Sequence, residues 1–140
     1  MSICFLSLET SKIFNQLILD ELSKQGFDGL SNALIVLFPY IDEYKGITSS
    51  GLASKIGYTR QAMHKNLMKL ETLGYITLGS GENKKEKAIL LTPKGRELMK
   101  HATVFIENTQ QELAELLGEK GLQKYMDYQY KVVTHLNNKK

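Results

Sequence analysis

The chain has 140 residues, 42% of them apolar and 24% charged, which is one domain's length with material for a genuine core. No stretch reaches the ~18 consecutive apolar residues of a membrane span, and the single cysteine, Cys4, cannot close an intrachain disulfide, so a cytoplasmic protein with no membrane partner is expected. The net charge of +3 conceals an uneven distribution: two basic and six acidic groups in residues 1–44, eleven basic against four acidic in 45–100, and five of each in 101–140, the pattern of a polyanion-binding centre on a neutral scaffold.

Residues 1–8 are too short and lack the basic flank of a secretory signal. Ile13, Phe14, Leu17, Ile18 and Leu22 then share one face at helical spacing, with Lys12, Asn15, Gln16, Asp20 and Glu21 opposite. A helix is predicted from near Ser2 or Ser7 to a stop at Gly26. The run from Leu30 to Ile41 is apolar almost throughout, and its length of about twelve residues favours a buried helix over a strand. Asp28 or Ser31 would cap it. Pro39, which lacks a backbone donor and crowds the preceding turn, is predicted to kink or end it.

Thr48, Ser49 and Ser50 offer capping hydroxyls for a short helix through Ile56, with Leu52 and Ile56 inward and Ala53 small enough for close approach. Gly57 permits a tight left-handed turn. Thr59 caps a second helix to about Leu73, buried along Met63, Leu67 and Leu70 and ended by Gly74. Residues 75–78 read as a strand with Ile76 and Leu78 on one side and Tyr75 and Thr77 on the other. A polar loop from Gly79 to Glu86 leads to a return strand over 87–92. Thr92-Pro93 is a hydroxyl cap followed by proline at the first helical position. The helix it starts runs to about Leu117, roughly 24 residues and about 36 Å, carrying Leu98, Phe105, Ile106, Leu113, Leu116 and Leu117. Gly118 and Gly121 are predicted to break it before a last helix from Leu122 to about Leu136.

The order helix, tight turn, helix, hairpin is that of a winged helix-turn-helix. With Met63, Leu67 and Leu70 inward, the outer face of helix 59–73 carries Arg60, Gln61, His64, Lys65 and Met68. Arginine and lysine match the acceptors of guanine, and glutamine matches adenine. From Lys55 to Lys69 there are four basic residues and no acidic one. The expected partner is double-stranded DNA, read in the major groove by Arg60, Gln61, His64 and Lys65. Thr48, Ser50, Lys55, Thr59 and Lys69 complete the set on these two helices, and Asn83, Lys84, Lys85 and Lys87 make a wing along the phosphates. Set against this are a merely solvated charged face, and a winged-helix module that docks an acidic protein instead of DNA. His64, His101 and His135 are isolated, with no metal-ligand spacing around them. Neither a phosphate loop nor a nucleophile motif is present, so no enzyme, metal or cofactor is expected.

Residues 30–95 resemble the MarR family of bacterial transcriptional regulators. The resemblance is carried by Ile47-Thr48 with Leu52-Ala53, by Leu70-Glu71-Thr72-Leu73-Gly74-Tyr75-Ile76, and by Leu91-Thr92-Pro93-Lys94-Gly95. It implies a mainly α fold with a two-stranded β wing, a DNA-binding lobe over 30–95, and dimerisation helices over 2–25 and 93–137. It implies a homodimer on a pseudo-palindromic operator, and it adds a small-molecule effector seated between the lobe and the dimerisation helices. Tyr125, Tyr128 and Tyr130 would pack that interface or line that pocket. The chain departs from the family where an aspartate-x-arginine pair usually stiffens the wing: Asn83 and Lys85 stand there, and they cannot form the same forked ion pair. A peroxide-sensing branch of the family carries a reactive cysteine in its first helix, which would make Cys4 a redox site. The tyrosine donors used there are replaced by Leu8 and Ile18, so packing is the expected role of Cys4.

Overall fold

Ser2 accepts a hydrogen bond from the Phe5 amide at 3.0 Å and so starts the first helix, α1 (Ile3–Lys24), while Gly26, with φ +91°, turns the chain away at its end. This computed structural model describes residues 1–79 and 87–140. They divide into two compact units, Met1–Ala102 and Thr103–Lys140.

The apolar run after α1 is not one helix. It forms α2 (Asn32–Ile35) and α3 (Leu37–Glu43), which meet at Val36. Pro39 is the third residue of α3, where an amide has no intrahelical acceptor to lose. Its ring instead excludes the carbonyl four residues back, that of Ile35, so the break falls upstream of the proline. Neither expected cap acts as one by its side chain. Ser31 holds the N-cap position but its hydroxyl makes no capping bond, and the Asp28 carbonyl accepts from the Tyr75 hydroxyl at 2.9 Å.

The next helices, α4 (Ser49–Ile56) and α5 (Arg60–Thr72), begin as read from the sequence. Thr48 Oγ1 accepts from the Gly51 amide, and Thr59 Oγ1 from the Ala62 amide, each at 3.1 Å. Gly57 links them at φ +87°. The hairpin pairs β1 (Ile76–Leu78) antiparallel with β2 (Ile89–Leu91), in register Ile76 to Leu91 and Leu78 to Ile89. Tyr75 corrects the predicted alternation: it precedes β1 and is wholly buried. The left-handed turn at Gly74 (φ +87°) reorients the chain there, so the two-residue period starts only at Ile76.

The core of the first unit gathers Leu22, Leu34, Leu37, Phe38, Leu52, Met63, Leu67, Leu70, Tyr75, Ile76, Ile89 and Leu98, all essentially without exposure. Burying each such side chain contributes about 1.5–3 kcal/mol, which outweighs any single surface contact. Helix α6 (Pro93–Leu117) starts in this unit, with Leu98 and Ala102 buried. In the second unit, Gly118 alone breaks the chain. Helix α7 (Glu119–Asn137) resumes at once, so Gly121 lies inside it rather than before it. No residue of α7 is buried. No helix among the described residues is long and apolar enough to cross a membrane.

Candidate functional site

Helix α5 has two unlike faces. Met63, Leu67 and Leu70 are at most 1% exposed and fix its inner side to the core. Arg60, Gln61, His64, Lys65, Met68 and Lys69 are all exposed on the rest of its circumference. No carboxylate among the described residues pairs with Lys55, Arg60, Lys65 or Lys69. A cationic face without internal counter-charge keeps its full attraction for an external polyanion. Helix α4 packs against α5, and the Gly57 turn joins the two.

The two signature segments act as joints around α5. At its C-terminal end, Lys94 Nζ donates to the Leu73 carbonyl at 2.8 Å and lies 4.5 Å from the centre of the Tyr75 ring. A cation there complements both the unsatisfied carbonyls and the negative end of the helix dipole. Thr92 Oγ1 donates to the Gly74 carbonyl at 2.6 Å and accepts from the Gly95 amide at 3.0 Å, joining the α5 exit to the α6 entry. Gly95 is glycine for space, since a side chain there would collide with the Tyr75 carbonyl. Glu71 Oε2 accepts from the Leu78 amide at 3.3 Å and so tethers β1 back to α5. On the other side of the hairpin, Thr48 bridges Ala88, and the Ile89 amide donates to the Ile47 carbonyl at 2.9 Å. The segment entering α4 is therefore bonded to the loop end of β2.

Not every residue selected from the sequence sits alike. Thr48 is half-buried with its hydroxyl engaged in capping and 3.3 Å from Ser50 Oγ, whereas Thr59 caps α5 from an exposed position. Lys55 is exposed, with its ammonium 4.1 Å from the centre of the Tyr44 ring. Lys87 is exposed at the loop end of the hairpin, two residues before β2. Asn83, Lys84 and Lys85, with the departure from the family's wing pattern, lie outside the described residues. Cys4 is exposed in the first turn of α1. Among the described residues, no cluster of histidine, cysteine and carboxylate side chains is placed to hold a metal. Sequence reasoning missed the Thr48–Ala88 bridge, the Glu71 tether and the Tyr44–Lys55 contact. Of the residues involved, Thr48 and Glu71 stand in segments that carry the family resemblance, whereas Ala88, Tyr44 and Lys55 do not.

Among the described residues, the titration of Tyr75 is clearly displaced. Burial pushes its hydroxyl above the usual phenol range, and the nearby Asp28 carboxylate adds to that. Its ring meets Phe38 edge-on at 5.9 Å and Phe27 at 6.4 Å, which locks the hairpin base to α3 and to the segment after α1.

Two helices joined through a left-handed glycine, a cationic outer face on the second, and an antiparallel hairpin define a winged helix-turn-helix chain. Solved structures place it more narrowly. The MepR–DNA complex of Staphylococcus aureus is similar with a TM-score of 0.77 at 20% identity, over 97% of this chain and 98% of that one. S. aureus MarR in complex with salicylate and kanamycin gives a TM-score of 0.79 at 18% identity, over 97% and 91%. A further MarR family transcription regulator gives 0.78 at 15%, over 97% and 86%. No family model and no curated protein matches the sequence. The chain shares the fold of these MarR and MepR structures.

Proposed function

We propose that this chain is a cytoplasmic, sequence-specific DNA-binding transcriptional regulator, acting as a homodimer on a pseudo-palindromic operator. The observation that carries the reading is the exposed face of Arg60, Gln61, His64, Lys65 and Lys69, which no carboxylate among the described residues neutralises, on a helix whose other face is locked into the core. Arg60, Gln61 and His64 lie in the first turns of α5, the part of a recognition helix that meets base edges. The MepR–DNA complex supports the same role, since that similar chain was solved on DNA.

Dimerisation is supported by apolar side chains that the single chain leaves in water. On α1 these include Phe5, Ile13 and Leu17, and in the second unit Leu116, Val133 and Leu136. Exposure on that scale marks an interaction surface in a water-soluble chain. Two recognition helices would then enter successive major grooves about one helical turn apart. A small-molecule effector belongs to the proposal as well. Its support is the similarity to S. aureus MarR, which was solved with salicylate and kanamycin.

Selecting bound sequences from a random duplex pool tests this directly. The expected product is an inverted repeat with half-sites about ten base pairs apart, bound with an affinity that falls steeply with salt. Enrichment of no sequence, with no duplex binding even at low salt, would leave only the protein-docking alternative.

A further inference from the structure

We infer that Tyr44 is a positioning residue for DNA binding, acting through Lys55; this rests on the DNA-binding reading above. Lys55 lies in the last turn of α4, and its ammonium sits 4.1 Å from the centre of the Tyr44 ring. The backbone of Tyr44 is held on both sides. The Tyr44 amide donates to the Tyr40 carbonyl at 2.9 Å, and the Tyr44 carbonyl accepts from the Ile47 amide at 3.0 Å. Tyr40 stacks beside it, with ring centres 6.5 Å apart and planes 21° from parallel.

The chemistry of the partner is what matters. A carboxylate beside Lys55 would fix the ammonium but cancel its charge. An aromatic face fixes it by the ring quadrupole and leaves the full positive charge for an incoming phosphate. A lysine ordinarily gives up considerable side-chain freedom when it binds a phosphate. Tyr44 removes part of that freedom beforehand, and binding is tighter for it. Neighbouring lysines lack this arrangement. Lys45 is drawn to the Asp42 carboxylate at 3.4 Å, and no ring lies under Lys65 or Lys69 among the described residues.

The test is a double-mutant cycle on the homodimer, read as affinity for a selected operator and for a random duplex across a salt series. Lys55→Gln should weaken both duplexes and lower the salt slope by about 0.9, the loss of one phosphate contact. Tyr44→Leu should weaken both by about two- to fivefold while leaving the slope unchanged, because the charge remains. Tyr44→Phe should bind like the parent, since it keeps the ring. In the Lys55→Gln background, Tyr44→Leu should have no further effect. Equal losses from Tyr44→Leu with and without Lys55, or no loss at all, would overturn the inference while leaving the DNA-binding reading intact. If the parent binds no duplex, both fall together.

Discussion

Tyr75 and Gly95 sit back to back, and each depends on what the other lacks. Gly95 has no side chain, so the Tyr75 carbonyl can approach the first turn of α6. Gly95→Ala should therefore cost about 1–3 kcal/mol, as overpacking does in other cores. An unchanged melting temperature would show that the backbone yields at no cost. Tyr75 makes a pH prediction. Its folded pKa is raised, so above about pH 10 the unfolded chain releases a proton that the folded chain retains, and stability falls as pH rises. Tyr75→Phe should lose about 0.5–1.5 kcal/mol at neutral pH with the hydroxyl's bond to the Asp28 carbonyl, yet decline less steeply above pH ~10. Urea unfolding of both proteins across that range checks the crossover in slope. On the exposed side of α5, Arg60→Ala should relax sequence preference at one position of each half-site, at about 1–3 kcal/mol if the contact is bidentate. Identical enrichment profiles for parent and variant would remove Arg60 from base reading.

At the scale of elements, the lobe is a set of helices pinned at their ends rather than only along their faces. Thr92 is the clearest pin, because one hydroxyl serves the Gly74 carbonyl and the Gly95 amide together. Thr92→Val keeps the shape and removes both bonds. It should lower stability by about 1–2 kcal/mol, a capping loss with an orphaned carbonyl added. Calorimetry decides, and a transition at the parent's temperature would mean that water replaces the hydroxyl at no cost. The α2–α3 break shows the opposite effect, in which a residue acts at a distance along the chain. Pro39 fits easily within α3, and its consequence appears four residues earlier, at Ile35 and Val36.

At the scale of the whole molecule, stability and solubility point in different directions. The first unit has a well-filled core, whereas α7 buries no residue and α1 buries only Leu22. Ile13 and Leu17, on the apolar face of the helix expected to dimerise, remain 53% and 43% exposed. In the proposed dimer these side chains meet a second copy. The double variant Ile13→Glu with Leu17→Glu should then sediment as a monomer and lose most operator affinity, while each lobe keeps its fold. A variant that stayed dimeric by analytical ultracentrifugation would place the interface elsewhere.

How much of this was legible depends on distance along the chain. The helix-turn-helix could be read, cap by cap, because a hydroxyl that caps a helix bonds an amide three residues away, and a buried seam such as Met63, Leu67 and Leu70 repeats with the helical turn. The outward set on α5 followed from the same periodicity. Tyr75, the Thr48–Ala88 bridge and the Tyr44–Lys55 contact were hidden because their partners lie from eleven to 47 residues away, where no local period constrains them. The sequence by itself determined the paired helices α4 and α5, where charge accumulates and which face of α5 is polar, since those follow from backbone hydrogen bonding and one-sided burial. Only the tertiary structure decided which carbonyls, rings and cations meet across the lobe, because those contacts depend on how the core packs its elements together.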